Sequence, residues 1–464
     1  MRKRITCLLT LCLVVILLFS ISACTSKPAD TKNPSQSTLT EDTTANGAST
    51  GNSQAKEIEL TVWQAAFRMP NEEAKPEKDW EINRMFKAFE ESNPGVKIIS
   101  QFSGDQNADQ NRLKAAVLAG NAPDIINIYS GFMPTSLKDV LLDITSYVPE
   151  DDLKFITGWQ SVRENLKEDG AILAYPAGGP EIGILLYNKS LVSAANVDLE
   201  GDAKPKTAAE FVEALKKIKA TGVLPIVAKD SGYNSVWMFP LGAWWTQYDG
   251  SERVTSNSLG VTKFADDGAF IKTLSFAAQM YKDGLINKDY VSIADPSVVF
   301  YNRKAAMMAT GNWGIQDCID QLGEDTGVYT VPSFDTDVRY LDAAIGGVGQ
   351  AIAVVNTCEN PDVAVKLLSF LNSKENVLKF SKLTGKIPQR TDITAEELGW
   401  KDNEVFEKTL NMANSGKLFG WNDNAMQTDV MNEYYVQTGL AVIGKVSAED
   451  CAKALDKKAA EVKK

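Results

Sequence analysis

The sequence predicts an α/β protein, and three observations support this fold class. Short apolar runs alternate with amphipathic segments, the connections are short, and turn-forming residues stand between segments. The alternation begins with a strand, a helix, a strand, a helix and a strand at residues 57–63, 79–92, 96–100, 109–119 and 124–129. A βαβαβ order with short connections is typical of a largely parallel sheet.

Local signals justify the individual elements of this first half. The helix at residues 79–92 carries four apolar residues on one face at helical spacing, namely Ile82, Met85, Phe86 and Phe89. The segment 93–95 (Asn-Pro-Gly) then ends that helix, since proline and glycine break regular structure. The segment 120–123 (Gly-Asn-Ala-Pro) ends the next helix in the same way.

The second half repeats the pattern in kind. A strand is predicted at 184–187, and Thr207 with Glu210 forms a capping box at the start of a helix that Gly222 ends. Another strand follows at 224–227, a helix at 270–281, and a further helix opens with Asn360 and Pro361. The absence of a short sequence repeat argues against solenoids and propellers.

Composition excludes several classes of function. The chain has 464 residues, which predicts two to three domains, and its net charge of -12 disfavours nucleic acid as a partner. The sequence contains no histidine, so Ser-His-Asp and Cys-His catalysis are excluded, and the commonest zinc ligand is missing. We therefore expect no metal and no cofactor, while enzymes that use paired carboxylates remain an alternative.

The amino-terminal residues are typical of export. Basic residues at 2–4, an apolar run at 8–21 and small residues after it predict a signal peptide over residues 1–23. The run is shorter than the ~20 apolar residues of a membrane-spanning helix. Cys24 resembles the lipidated cysteine of bacterial lipoproteins, which implies acylation, palmitate included, with an ordinary signal peptide as the alternative. Residues 24–55 form a polar, Ser/Thr-rich stretch that predicts a flexible tether.

These features predict a protein on the extracellular face of the cell membrane, anchored through Cys24 in a Gram-positive type of envelope. An anchor on the periplasmic side of an inner membrane stays open. Cys318, Cys358 and Cys451 remain in the mature chain, and this odd number allows at most one disulfide bond.

Short phrases from residue 58 onward carry a family resemblance. They are NPGVKI at 93–98, LAGNAPDI at 118–125, AYPA at 174–177 with LYNKSL at 186–191, PKT at 205–207, KAAMM at 304–308 with GNWG at 311–314, and TGKIP at 384–388. In this order, the chain resembles the extracellular solute-binding proteins (family 1, carbohydrate type) of ABC importers.

This resemblance implies a two-lobed periplasmic-binding-protein-like fold of type II, with the ligand in a cleft between the lobes. Lobe 1 is expected to comprise residues 56–183 plus 347–390, and lobe 2 residues 184–346 plus 391–464. The chain is expected to cross between them near 181–186, 344–349 and 386–391. The implied function is a monomeric receptor, not an enzyme, that passes a mono- or oligosaccharide to a transmembrane permease.

Candidate binding residues follow from the chemistry of sugars, whose C–H faces stack on aromatic rings and whose hydroxyls pair with planar polar groups. Some of these residues follow predicted strand ends, where open α/β sheets bind ligands. The candidates are Trp63, Gln64, Tyr129, Ser130, Glu181, Tyr233, Asn234, Trp244, Trp245, Asn312, Trp313, Gly347, Arg390 and Trp421.

Several candidates have a structural alternative. The resemblance makes Trp313 the principal platform, although a tryptophan in a lobe core is the other interpretation, and Trp63 has the same alternative under the first helix. Trp244 and Trp245 are assigned to a strand, where neighbours face opposite sides, so one is expected in the core and one in the cleft. Arg390 is a clamp for hydroxyl groups or a partner in an interlobe salt bridge.

Three other functions remain open at this level. A secreted lipoprotein enzyme would degrade polysaccharide with paired carboxylates, one of which would be Glu181. The same fold would also suit a different solute, such as an iron chelate, a polyamine or a peptide. An interaction protein that partners a sensor kinase is the third alternative.

Overall fold

A computed structural model describes residues 57–65, 67, 72, 74–230 and 236–463. The predicted signal peptide, Cys24, the tether, Tyr233 and Asn234 lie outside these described residues. The strands within them are β1 (Ile58–Gln64), β2 (Val96–Phe102), β3 (Ile125–Tyr129), β4 (Tyr175–Asn188), β5 (Leu224–Val227), β6 (Ala305–Gly311), β7 (Thr326–Tyr329), β8 (Ala344–Val354) and β9 (Leu418–Phe419).

The α-helices follow in chain order. They are α1 (Glu81–Ser92), α2 (Gln106–Ala119), α3 (Phe132–Ser136), α4 (Glu150–Phe155), α5 (Lys189–Ala194), α6 (Ala208–Ala220), α7 (Ala243–Ser258), α8 (Gly268–Lys282), α9 (Pro296–Tyr301), α10 (Ile315–Leu322), α11 (Pro361–Leu371), α12 (Lys374–Thr384), α13 (Ala395–Leu398), α14 (Glu404–Ala413), α15 (Thr428–Val442) and α16 (Ala448–Val462). In the described part of the chain, none of these helices combines the length and apolar character needed to cross a membrane.

The first part of the sheet has the order β2-β1-β3-β8-β4. Strands β1, β2 and β3 are parallel, as the βαβαβ pattern predicts, whereas β8 is antiparallel to both β3 and β4. Within this part of the sheet, the prediction of a largely parallel sheet is therefore correct for the first three strands and wrong for β8 and β4. The physical reason is that β8 returns to this region from the second part of the sheet and runs opposite to β3 and β4, so these pairings need no right-handed crossover helix.

The second part of the sheet is built on the other half of β4. Strand β6 pairs antiparallel with residues 183–187 of β4, strand β5 pairs parallel with β6, and β7 pairs antiparallel with residues 185–188. Strand β9 adds a short parallel pairing with the start of β8.

Strands β4 and β8 thus extend through both parts of the sheet and connect them. Their mutual pairing includes Glu181 with Gly347 and Ile182 with Gly346, where the register passes from one lobe to the other. A third segment lies beside β4, because a Cβ built on Gly179 would overlap the carbonyl oxygen of Ile387. The three crossing segments that the resemblance implies remain a prediction.

Separate hydrophobic cores lie on the two sides of this hinge. One core contains Leu60, Ile126, Tyr175 and Val354, together with α1 and α11. On the other side, one face of the sheet packs around Trp237, Trp244, Trp245 and Phe270, and the opposite face packs around Leu186, Phe300, Cys318 and Trp400. The described residues therefore form two lobes, because the apolar side chains on each side of the hinge are buried in a core of their own. The lobe boundaries given above remain a prediction.

Candidate ligand-binding cleft

Three aromatic rings form a cluster beside the hinge, on the side of lobe 2. The ring centroids of Phe239 and Trp313 lie 5.3 Å apart, and those of Phe239 and Trp421 lie 5.1 Å apart, both edge to face. Trp313 and Trp421 are 6.3 Å apart with an interplanar angle of 45°. Trp313 is 37% exposed whereas Trp421 is 5% exposed, so Trp313 presents an open indole backed by two buried rings.

The turn that carries Trp313 is fixed to the hinge by its neighbours. Asn312 accepts a hydrogen bond from the backbone N–H of Ile182 at 2.9 Å and donates to the carbonyl of Pro180 at 3.3 Å. Gly311 is required because a Cβ there would overlap the indole of Trp313. Asn312 is only 4% exposed, so it positions the platform and does not present its own amide to the cleft.

Glu181 lies on β4 at the hinge. A Cβ built on Gly349 of β8 would lie 2.7 Å from Oε2 of Glu181 and 3.9 Å from Nε1 of Trp421, so carboxylate and indole approach the same glycine. The nearest cation is Lys386, whose Nζ is 3.9 Å from Oε1 of Glu181. Burial raises the pKa of the Glu181 carboxyl, Lys386 opposes this shift, and the charge of Asp423 adds to it.

Asp423 follows Trp421 in the loop before α15. Its Oδ2 accepts a hydrogen bond of 2.7 Å from the hydroxyl of Tyr435, while its Oδ1 is buried without a hydrogen-bond partner among the described residues. Burial raises the pKa of Asp423, and burial next to that carboxylate holds the pKa of Tyr435 well above its ordinary value. The described residues contain no group of three or more His, Cys, Asp or Glu that would hold a metal ion.

Lobe 1 meets this loop at the end of β3. Nδ2 of Asn424 donates to Oγ of Ser130 at 3.3 Å, and the backbone N–H of Phe132 donates to the carbonyl of Asn424 at 2.8 Å. Oγ of Ser130 in turn donates to the carbonyl of Val348 at 2.5 Å. We call these contacts between residues 130–132 and Asn424 the interlobe clasp.

The neighbouring Tyr129 is half-buried, and its charge is one of the causes that raise the pKa of Tyr435. Its side chain therefore lies within electrostatic range of lobe 2. Gly347 on β8, opposite Glu181, has a φ of +121°, a conformation that favours glycine. These contacts bring together the end of β3, the two hinge strands and the Trp421–Asn424 loop, and we call this region the candidate interlobe cleft.

Comparison with known proteins identifies the family of the chain. The sequence model described as "Bacterial extracellular solute-binding protein" matches residues 84–408, well over half of the chain. This chain is a bacterial extracellular solute-binding protein. Similar curated proteins include the sn-glycerol-3-phosphate-binding periplasmic proteins of Shigella flexneri serotype 5b (strain 8401) and Escherichia coli (strain K12). Each is 23% identical over 348 residues and covers 70% of this chain and 75% of its own length.

Solved structures agree with the fold of this solute-binding protein. A chitin oligosaccharide binding protein has a TM-score of 0.72 at 18% identity and covers 88% of this chain and 100% of its own. A family 1 extracellular solute-binding protein from Bifidobacterium longum subsp. infantis has a TM-score of 0.68 at 21% identity, covering 88% and 100%. The two-lobed fold expected from the sequence is therefore confirmed.

Two tryptophans of the solute-binding protein lie elsewhere than expected. Trp244 and Trp245 belong to α7, not to a strand, and are 0% and 2% exposed in the core of lobe 2. Their indole N–H groups donate to the carbonyl of Pro332 at 3.0 Å and to Oδ2 of Asp267 at 3.1 Å. The expectation that one of them faces the cleft is wrong, because a helix packed on two sides buries both neighbours.

Arg390 also has a structural role and not the proposed role as a clamp. Its guanidinium pairs with both carboxylate oxygens of Asp392 at 2.9 Å and lies 3.5 Å from Asp152. The residue is 8% exposed, so its donors are already directed at protein carboxylates near the third crossing segment. Of the two alternatives for Arg390, a salt bridge is therefore the one found. It joins Arg390 to Asp152 and Asp392 beside the hinge.

Trp63 and Gln64 are buried in lobe 1. The indole N–H of Trp63 donates to Gln101 at 2.9 Å, and the guanidinium of Arg112 lies 3.9 Å from the centroid of its ring. This stacked arginine leaves Trp63 as a packed residue and not an open platform, against expectation. Gln64 is fully buried, and its amide has no hydrogen-bond partner among the described residues.

Other residues around the cleft were not predicted from the sequence. Asp423 and Asn424 follow Trp421 closely in the sequence. Polar residues next to a candidate stacking tryptophan were therefore the sequence signal that would have identified them. Phe239 lies in the π-helical turn Trp237–Leu241, and Tyr435 lies on α15; neither carries a local sequence signal.

Proposed function

We propose that this solute-binding protein is the substrate receptor of an ABC importer and that it captures a carbohydrate, most simply an oligosaccharide, in the interlobe cleft. The observation that carries the proposal is the open indole of Trp313, backed edge to face by Phe239 and in contact with Trp421. Such a surface matches the C–H face of a sugar ring, and the carboxylates of Glu181 and Asp423 beside it accept hydrogen bonds from hydroxyl groups.

Similar proteins support this substrate class. One structural neighbour is named as a chitin oligosaccharide binding protein and another as a cyclic alpha-maltosyl-1,6-maltose binding protein from Arthrobacter globiformis, with a TM-score of 0.68 at 19% identity and coverage of 87% and 98%. The curated relatives are named for a glycerol phosphate, so the relatives alone leave both a sugar and a phosphate ester under consideration.

The proposed mechanism is a clamp with an open and a closed state. Ligand that touches Trp313 on lobe 2 and the end of β3 on lobe 1 binds the closed state better, and it shifts the equilibrium by that difference in affinity. The hinge strands β4 and β8 change their local backbone angles, for which Gly347 is suited by its positive φ. The closed form then docks on the permease, and no bond of the ligand is made or broken.

We also propose that the protein is held at the membrane by a lipid anchor. Residues 1–23 act as the signal peptide, Cys24 carries the lipid, and residues 24–55 hold the monomeric receptor at the extracellular face of the membrane in a Gram-positive type of envelope. Labelling of cells with a radioactive or clickable palmitate should mark the wild-type chain. A Cys24→Ser chain that is labelled equally would refute the anchor.

The binding test is a panel of neutral oligosaccharides screened by thermal shift and calorimetry against the soluble chain from residue 56 onward. Trp313→Ala should lower the affinity for the best ligand by at least about 30-fold, the loss typical of a stacked aromatic anchor. Tyr147→Ala is the matched control, because Tyr147 is 39% exposed but lies outside the cleft residues described above.

Two results would contradict the proposal. A panel in which no saccharide binds would remove the substrate class, and an unchanged affinity in Trp313→Ala would remove the platform. Reducing ends released from the bound oligosaccharide would instead favour the enzyme alternative, in which Glu181 and Asp423 act as the two carboxyl groups.

A further inference from the structure

The two carboxyl groups in the cleft have few donors within the protein. Among the described residues, Tyr435 gives Asp423 its one side-chain hydrogen bond, and the backbone N–H groups of Asn424 and Asp423 also lower the pKa of this carboxyl. Its buried Oδ1 meets no donor within hydrogen-bond distance among the described residues. Glu181 has the nitrogen of Lys386 at 3.9 Å, which is longer than a hydrogen bond. A buried carboxylate oxygen without a donor is costly, so a ligand that brings donors is favoured at Asp423, while the Glu181 side chain is 21% exposed and open to the same donors.

The charges around this point are mainly negative. Asp423 and Lys386 act on Glu181, whereas Asp423, Tyr129 and Tyr434 act on Tyr435. The phenol of Tyr435 is uncharged at neutral pH, because burial and the nearby carboxylate raise its pKa well above its ordinary value. One ammonium group therefore faces two carboxyl groups.

We infer that Glu181 and Asp423 select the ligand by its charge: the cleft accepts an uncharged saccharide through its hydroxyl donors and rejects phosphate esters. This inference rests on the proposed function and deepens it. A phosphate group carries negative charge and brings few or no donors, so it would be repelled by these carboxyl groups in their ionised form. The protein would then differ in specificity from the relatives that are named for a glycerol phosphate.

The same residues explain how a hydroxyl-rich ligand would be held. The indole of Trp313 supplies the stacking surface, Glu181 lies at the hinge, and Asp423 lies on the loop that follows Trp421. Hydroxyl groups of one sugar ring would donate to both carboxylates while the ring lies against an indole. A hydrogen bond to a charged group is stronger than one between neutral groups, so these contacts decide specificity as well as affinity.

The test uses calorimetry with two kinds of probe on the soluble chain from residue 56 onward. The probes are the best neutral oligosaccharide of the panel and sn-glycerol 3-phosphate, each titrated into wild type, Glu181→Gln and Asp423→Asn. Wild type should bind the neutral saccharide and give no heat with the phosphate ester. Asp423→Asn and Glu181→Gln, both close in shape to the native residue, should each weaken saccharide binding by at least about tenfold.

The outcomes separate this inference from the proposed function. Saccharide binding that is equally tight in both variants would overturn the inference and leave the carbohydrate receptor standing. Binding of glycerol 3-phosphate by wild type as tight as that of any saccharide would overturn the charge selection. Binding of glycerol 3-phosphate alone, with no saccharide bound, would overturn both. Unfolding curves of each variant show whether a loss of binding reflects a loss of fold.

Discussion

The contacts of the interlobe clasp lead to a specific prediction for a substitution at Gly131. This residue has a φ of +79°, and a Cβ built on it would lie 2.6 Å from Cβ of Asn424 and would overlap the carbonyl of that residue. Gly131→Ala therefore has two separate effects. The positive φ strains alanine in any arrangement of the lobes, whereas the proposed clamp assigns the overlap with Asn424 to the closed state.

The two effects are measured in different experiments, one on unfolding and one on ligand binding. Strain of a non-glycine residue in this region of φ/ψ space costs about 1–3 kcal/mol and lowers the free energy of unfolding. The overlap prevents two cross-lobe hydrogen bonds, from Phe132 N–H at 2.8 Å and from Asn424 Nδ2 at 3.3 Å. Together these bonds are worth about 1–3 kcal/mol, which corresponds to a ligand affinity that is about 5- to 150-fold lower.

The assay compares Gly131→Ala with Gly95→Ala. Gly95 also has a positive φ, +90°, but a Cβ there would meet nothing within 4 Å. Both variants should unfold at lower temperature, while only Gly131→Ala should lose affinity in calorimetry with the best saccharide of the panel. An equal affinity in the two variants would refute the idea that the clasp stabilises the closed state.

Further predictions concern buried groups. Arg390→Met should lower the free energy of unfolding by about 3–5 kcal/mol in guanidinium chloride, because Asp152 and Asp392 are left without their cation, with unchanged ligand affinity. Trp245→Ala should destabilise the fold by a similar ~3–5 kcal/mol, measured in the same way; a loss of affinity without a loss of stability would contradict its place in the core. Burial raises the pKa of Asp423 above its ordinary value of 3.8, so its folded form binds a proton more tightly than its unfolded form. Its contribution to stability is therefore greatest below that ordinary value and declines as the pH rises through the raised pKa. Asp423→Asn should remove this decline in thermal unfolding measured across pH, and curves that stay parallel to wild type would contradict it.

Much of the fold was predictable because its signals are local. The apolar face of α1, with Ile82 and Phe89, is buried as the helical spacing predicts. The Thr207 cap of α6 is also as predicted, since the N–H of Glu210 donates to Oγ1 of Thr207 at 3.3 Å. The full capping box is not formed, because the Glu210 carboxylate accepts from the N–H of Lys206 and not from that of Thr207. The GNWG phrase predicted a tryptophan just after a strand, and Trp313 is exposed there at the end of β6. This was predictable because a strand end followed by a tight turn depends on neighbouring residues.

The candidate site was predicted less completely. Trp244 and Trp245 were assigned to a strand because two adjacent apolar residues do not reveal their period, and packing against α8 decides that both are buried in a helix. The role of Arg390 was left open, since a guanidinium binds a ligand or a carboxylate equally well and only the position of Asp152 decides between them.

By itself, the sequence determined the order of strands and helices, the caps and breaks between them, and the family resemblance, because those depend on residues a few positions apart. Only the tertiary structure decided which polar groups share the cleft. The charge of Asp423, before α15, raises the pKa of Glu181 on β4, although the two residues are far apart in the chain. Their juxtaposition depends on how β4 and β8 cross between two separately packed cores, and no local pattern of residues encodes that arrangement.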